Sequence, residues 1–404
     1  MKFKKPSNIG IEEQKIVQKV LKEGVLSNFF ADPKRALIGG KYVEKFEKKI
    51  EKFFDVKHAI SVNSWTSGLV AILGAAGIRS GDQVILSPWT MSACFSCIIA
   101  WGGIPIFADI EEDTFCINPQ EVEKKINKKT KAILAIDIFG QSADIQTLKK
   151  IAKKNNLILI SDSAQAIGSK YKNRYTGTIS DIGGFSFNFH KHIHTGEGGM
   201  IVTNNSKFAR NCKFIRNHAE ITNNVKNKKE LINMIGYNLR MTELEAAIGI
   251  EQLKKLKKIV KKKQKIANHL KNKLKNLNGL ILPYVRINCT HSYYVFAMKL
   301  SNKIKIPRIK IISNLKKLGV PVKDQYVNLL NLPIIKSKAI FNLNQFDKKN
   351  KFIEDNYNQK NYKVIKKLNE KSYISLNLCF YDYEIKDIDK IALAFKKTWQ
   401  KYKL

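Results

Sequence analysis

Short, wholly apolar runs alternate with amphipathic segments through the first half of the chain. HAISVNS (58–64), TSGLVAILGAAG (66–77), DQVILSP (82–88), a helical stretch ending at Trp101 and IPIFADI (104–110) follow one another. This order predicts βαβαβ. The alternation continues through a helix begun at Asn118-Pro119, the strand KAILAIDIFG, the helix DIQTLKKIAKKNN and the strand LILISDSAQ. Strands that are apolar at every position belong in a parallel sheet covered on both faces. Ligands of such sheets gather at the carboxyl ends of the strands, where the polar residues of these runs lie.

After residue 183 the period shortens to β-like segments around FSF and GGMIVTNN, joined by a loop carrying His190, Lys191, His192 and His194. A long helix is predicted from Thr242, whose hydroxyl caps it while Glu245 reaches back as a capping box. Leu253, Leu256, Val260, Ala267, Leu270, Leu274 and Leu277 form its apolar stripe. The lysines between them read as a solvated face. Beyond residue 280 come strand-like THSYYVFAMKL, a Lys-rich helix from about Pro307, GVPVKDQY and a final helix from Asp387. The stretch 336–367, rich in Lys and Asn, reads as long loops. The expected architecture is α/β, with a large domain over 1–255 and a smaller α+β domain over 256–404.

Composition narrows the class. The 404 residues carry 72 basic and 34 acidic side chains, a formal charge of +38, yet 44% are hydrophobic, which excludes a disordered chain. Positive charge suits a nucleic-acid binder, a membrane-surface protein or an enzyme for phosphorylated substrates. Because Lys greatly outnumbers Arg and Asn and Ile are frequent, AT-rich coding bias is the main reading of the excess. Six scattered cysteines fit a reducing compartment. Cys94 and Cys97 form a C-x-x-C that reads as core packing. Neither a signal peptide nor an apolar run of membrane length is found, so a cytoplasmic protein without a membrane segment is expected.

Three constellations carry chemistry. Asp162 ends the buried run Leu157–Ile160, where a carboxylate needs a partner: a helix cap, an ion pair or a buried cation such as a protonated pyridine nitrogen. Lys191 lies between a buried β segment and GEGG, where desolvation frees an amine for attack on a carbonyl. The neighbouring histidines lack a carboxylate or cysteine to complete a metal site, and no metal is expected. Ser64-Trp65-Thr66-Ser67-Gly68 places hydroxyls and backbone N–H groups at a helix start, an anion site suited to phosphate.

Together these parts fit a pyridoxal phosphate enzyme. Their order and spacing resemble the DegT/DnrJ/EryC1/StrS family of sugar aminotransferases, which has the fold of aspartate aminotransferase (fold type I). The resemblance runs from about residue 8 to residue 255, and more weakly to the end. It is carried by Asp162-Ser-Ala-Gln165-Ala166, Gly183-Gly-Phe-Ser186-Phe, Lys191 followed by Thr195-Gly-Glu-Gly-Gly199, and Asn238-Leu-Arg240-Met241.

The resemblance implies that Lys191 holds pyridoxal 5′-phosphate covalently and shuttles the proton, that Asp162 keeps the ring nitrogen protonated, and that Gln165 lies beside the ring. It implies phosphate ligands at Thr66 and Ser186, with Asn238 supplied by a neighbouring subunit of a homodimer with shared active sites. It also implies amino transfer, typically from glutamate, to a nucleotide-linked keto-sugar on the way to a polysaccharide, lipopolysaccharide or antibiotic. Two positions depart from the family's pattern. Trp65 stands where Gly is usual, so the phosphate loop has to accommodate a large side chain. Met91 stands where an aromatic normally stacks on the ring; Trp89, two residues earlier, either supplies the stack or packs in the core. The rivals are a dehydratase on the same fold, which has histidine in place of the lysine, and a non-catalytic nucleic-acid-binding or regulatory protein. Lys191, separated from Phe187 by three residues, favours transfer.

Overall fold

The computed structural model describes residues 1–6, 8–30, 37–220, 235–346 and 350–404. Two helices, α1 (Ile11–Glu23) and α2 (Lys41–Phe54), precede the sheet. The α/β succession then runs β1 (His58–Val62), α3 (Trp65–Ala75), β2 (Gln83–Leu86), α4 (Ser92–Ala100), β3 (Ile104–Phe107), α5 (Pro119–Lys125), β4 (Thr130–Ile136), α6 (Ile145–Lys154) and β5 (Ile158–Asp162). After a small hairpin, β6 (Lys170–Tyr171) and β7 (Arg174–Tyr175), come β8 (Ile182–Ser186), β9 (Gly199–Thr203) and α7 (Ser206–Arg216).

The seven-stranded sheet has the order β1-β9-β8-β5-β4-β2-β3. Strands β3, β2, β4, β5 and β8 pair in parallel, while β9 runs antiparallel between β8 and β1. The parallel strands are mostly apolar and almost wholly buried because helices cover both faces. The reversal at β9 is the structural consequence of the short loop 187–198, which has no crossover helix to bring the chain back in the same direction. Neighbouring strand ends are in register, with Ile136 beside Asp162 and Asp162 beside Gly184.

The helix α8 (Glu243–Leu274) carries the expected capping box, Thr242 with Glu245, and its apolar stripe is buried. It continues through the expected domain boundary at residue 255, so no break in packing falls there. Its later turns join a second core with β10 (Leu280–Ile281), β11 (Val295–Leu300), α9 (Arg308–Lys317) and β12 (Val322–Lys323). Three short helices, α10 (Pro333–Lys336), α11 (Lys351–Asn356) and α12 (Lys363–Lys367), precede β13 (Tyr373–Asn377) and the final helix α13 (Ile385–Lys401). The small sheet is antiparallel, in the order β10-β11-β13-β12.

The expected loop stretch 336–367 is therefore corrected in part. Outside residues 347–349, which lie beyond the described ones, it holds short helices packed into the same core as the seven-stranded sheet. Asn356 accepts from the Phe107 amide at 2.6 Å and donates to Pro105 O at 3.1 Å, completing the exposed edge of β3. Among the described residues no helix is long and apolar enough to cross a membrane.

Candidate active site

A cleft opens where the carboxyl ends of β5 and β8 face the start of α3. Ser64, Trp65, Thr66, Met91, Cys94, Asp162, Gln165, Ser186, Asn188, His190, Lys191 and Glu197 lie on its wall. Seven of the nine residues singled out in the sequence are thus brought together. Trp89 and Asn238 are not.

At the start of α3, Ser64 is the N-cap. Its Oγ accepts from the Ser67 amide at 3.1 Å and is bonded to the Ser67 hydroxyl at 2.9 Å. Two of the three hydroxyls are therefore occupied in capping, and Thr66 faces the cleft with the unpaired first amides of the helix. Ser186, at the end of β8, lines the same cleft. Such a group of donors at a helix N-terminus suits a phosphate.

Trp65 turns inward rather than crowding that end. Its indole Nε1 donates to Asp162 Oδ1 at 2.8 Å. Space for the indole depends on Gly184, where a Cβ would lie 2.4 Å from the Trp65 ring. The other oxygen of Asp162 accepts from the Cys94 thiol at 3.1 Å, and Cys97 donates to Thr66 O at 3.3 Å. Both cysteines are buried as the C-x-x-C reading expected, but they also brace the site. A carboxylate has about four acceptor positions. Asp162 keeps capacity for a further donor.

Lys191 is 8% exposed, and its Nζ lies 4.6 Å from the centre of the Tyr294 ring. Burial lowers its proton affinity to about 8, against the opposing pull of Asp162. The amine is thus a base and nucleophile close to neutral pH. His190 shares a 2.9 Å hydrogen bond with the Tyr294 hydroxyl, and His192 bonds Ser292 O at 2.9 Å. Burial takes both imidazoles down to about 4, so they are neutral and held by local partners.

Gln165 Oε1 accepts from the Phe139 amide at 3.0 Å, and its Nε2 donates to Tyr326 OH at 2.6 Å. Tyr326, far along the chain, thereby fixes a side chain of the cleft. Asn188 donates to Glu197 at 2.7 Å, while its buried Oδ1 has no partner.

Trp89 is corrected as a ring-stacking candidate. Residues 88–90 form a bend, so the alternation that would aim Trp89 and Met91 the same way fails. Trp89 is fully buried against Tyr326 and Tyr373. Met91 is 56% exposed at the mouth of the cleft. Asn238 is exposed, bridged to Asn217, and does not line the cleft of its own chain.

Sequence reasoning missed Asn188, Glu197, Tyr294, Tyr326 and Asp137. Asp137 is buried behind Asp162, accepts from Ser163 Oγ and the Ala143 amide at 2.5 and 2.9 Å, and is pushed up to about 7 by burial. Its place at the end of an apolar strand, like that of Asp162, is the signal that marks it.

The donor set fits pyridoxal 5′-phosphate on the structure's own terms: phosphate donors, a carboxylate with spare acceptor capacity and a desolvated lysine line one cleft. Among the described residues no group of three His, Cys, Asp or Glu side chains is placed to hold a metal ion.

Residues 21–358 match the DegT/DnrJ/EryC1/StrS aminotransferase family. A GDP-perosamine synthase from Vibrio cholerae is 34% identical over 301 residues, covering 74% of this chain and 80% of that protein. The spore coat polysaccharide biosynthesis protein SpsC of Bacillus subtilis is 34% identical over 316 residues, covering 76% and 78%. An aminotransferase structure from Psychrobacter cryohalolentis superposes with a TM-score of 0.82 at 27% identity, over 99% of both chains.

Proposed function

The chain belongs to the DegT/DnrJ/EryC1/StrS aminotransferase family, and from that premise we propose that it moves an amino group from glutamate to the keto group of a nucleotide-linked sugar. The product would be an amino sugar for polysaccharide synthesis, the setting named for the Bacillus subtilis relative. Pyridoxal 5′-phosphate, when bound, supplies the electron sink for the exchange.

The observation that carries the reading is Lys191, a buried lysine whose proton affinity is lowered to about 8 in a cleft that also holds Asp162. Lys191 would attach the cofactor through Nζ, and that nitrogen would take the substrate proton and return it. Asp162 would hold the ring nitrogen, steadied by Trp65 and Cys94. Thr66, Ser186 and the first amides of α3 would hold the phosphate. Gln165 would lie beside the ring, with Met91 at the entrance. Asn238, exposed and outside the cleft of its own chain, would complete the phosphate site of a second subunit in a homodimer. The lysine favours transfer over the dehydratase alternative, because neither neighbouring imidazole is free to replace it.

Purified protein with added pyridoxal 5′-phosphate is expected to show a visible band that glutamate bleaches, and borohydride followed by peptide mapping should place the label on Lys191. Cofactor bound without a lysine adduct would refute amino transfer. Mixing inactive Lys191→Ala and Asn238→Ala variants should restore part of the activity; no recovery would show a self-contained site.

A further inference from the structure

A buried ammonium has to be held by something other than water. Among the described residues Lys191 Nζ meets no carboxylate within ion-pair distance and forms no hydrogen bond. What it meets is the face of Tyr294, whose ring centre lies 4.6 Å away. An aromatic face carries partial negative charge, and a desolvated cation over it is stabilised at this distance.

Tyr294 is 6% exposed and immediately precedes β11. Its carbonyl accepts from the Leu378 amide at 3.1 Å, and its hydroxyl shares the 2.9 Å hydrogen bond with His190 Nδ1. His190 is packed in turn against Phe189 and Phe380, with ring centres 5.1 and 5.6 Å away. The tyrosine is thus held at its backbone and at its far end, and the ring cannot swing from the amine without giving up the bond to His190. Because the hydroxyl is committed to that bond, it is the face that is left for the amine.

The titratable groups that face Lys191 from other elements are Asp162 at the end of β5, Cys94 on α4 and Cys379 after β13. Its own loop adds His190 and His192. Burial raises both thiols and lowers both imidazoles, so all four are neutral at pH 7. Asp162 is the one formal charge among them, and its oxygens already accept from Trp65, Ala164 and Cys94.

We infer that the face of Tyr294 is the seat of the free Lys191 amine, which makes Tyr294 a positioning residue for the lysine. The inference rests on the aminotransferase reading and deepens it. In amino transfer Lys191 is free whenever the substrate nitrogen occupies the cofactor, and it is then that Nζ takes the proton and returns it. A released lysine has many rotamers open to it. A face that attracts its charged form keeps Nζ in the cleft and favours the protonated state that hands the proton back.

The test begins with the whole chain, free of cofactor. Trace acetylation with acetic anhydride across pH, read by mass spectrometry on the peptide carrying Lys191, gives the pH at which half of this amine is unprotonated. Phenylalanine, and phenylalanines with one, two and three ring fluorines, are placed at position 294, because fluorine drains charge from the face while hardly changing its shape. A weaker face favours the neutral amine, so the midpoint moves to lower pH. It is expected at about 8 in wild type. It should stay within about 0.3 unit of that in Tyr294→Phe and fall stepwise by about one unit over the fluorine series. Tyr294→Leu, with its fold verified by a melting curve, should lower the limiting rate of bleaching by glutamate roughly tenfold and leave the half-saturating glutamate concentration unchanged.

A midpoint that ignores the fluorines or rises with them would overturn the inference. So would a shift in Tyr294→Phe as large as that of the three-fluorine variant, which would give the role to the hydroxyl, or a full limiting rate in folded Tyr294→Leu. The acetylation needs no cofactor, so it stands apart from the borohydride mapping that tests the parent reading. An enzyme that bleaches with the label on Lys191, but whose midpoint ignores the fluorines, fails here alone.

Discussion

Holding a lysine away from water costs the cofactor-free protein stability, and removing the amine should restore it. Lys191 is 8% exposed, and burial, opposed by Asp162, takes its proton affinity from an ordinary 10.5 to about 8. At about 1.4 kcal/mol for each factor of ten, the protonated amine costs about 3 kcal/mol at pH 7. The folded state gives up this proton more readily than the unfolded chain. The cost is therefore complete below pH 8, shrinks between pH 8 and 10.5, and vanishes above 10.5. Lys191→Met retains most of the apolar stem that packs in the site. Unfolding entropy for a chain of this length is about 0.85 kcal/mol per degree, so cofactor-free Lys191→Met should melt about 4 °C above cofactor-free wild type at pH 7. At pH 9.5 the gap should narrow to less than about 2 °C. Scanning calorimetry at one protein concentration and one scan rate reads both values. A variant that melts at or below wild type at pH 7, or a gap that does not close with rising pH, would refute the account of Lys191 as a desolvated amine.

Three further outcomes are expected. Asp162→Asn should retain cofactor but slow the single-turnover bleaching by glutamate by about two orders of magnitude, because a neutral amide cannot balance a protonated ring nitrogen; an unchanged rate would remove Asp162 from the chemistry. Trp65→Phe deletes the 2.8 Å donor to Asp162 and, at about 1.5–3 kcal/mol for a hydrogen bond to a charged group, should weaken cofactor affinity by roughly tenfold or more in an absorbance titration of the cofactor-free protein. Equal affinity would mean that the indole only fills space. Arg216 is fully buried, 2.6 Å from Glu47, so Arg216→Leu should destabilise by about 3–5 kcal/mol in urea unfolding, and adding Glu47→Leu should recover much of that loss.

Much of the site is legible in the sequence because its parts are local. Asp162 ends an apolar strand, Lys191 sits in a loop between two strands, and the Ser64–Gly68 run opens a helix, each marked by a change of period within a few residues. The Thr242–Glu245 box likewise spans a single turn. What the sequence hides is pairing over distance. Trp65 and Asp162 are 97 residues apart, and Asn356 is 249 residues from the β3 amide it caps. Local patterning has no term for either contact. The misplaced Trp89 is a different failure: the two-residue alternation holds only in extended backbone, and a bend at 88–90 breaks it.

The α8 lysines show how far periodicity reaches. A period of 3.6 separates the apolar stripe from the charged side correctly, and the buried stripe agrees with it. It says nothing of what lies against the charged side. Lys257 and Lys261 face solvent, as a lysine-rich helix predicts, but Lys255 and Lys263 are drawn under the N-terminal segment and the 379–382 turn. Net charge is equally silent, since a chain of +38 has lysines to spare for every surface. The physical distinction is enclosure. A solvated lysine finds its partner in water, whereas Lys263 is buried and donates to two backbone carbonyls, Leu378 O and Tyr381 O.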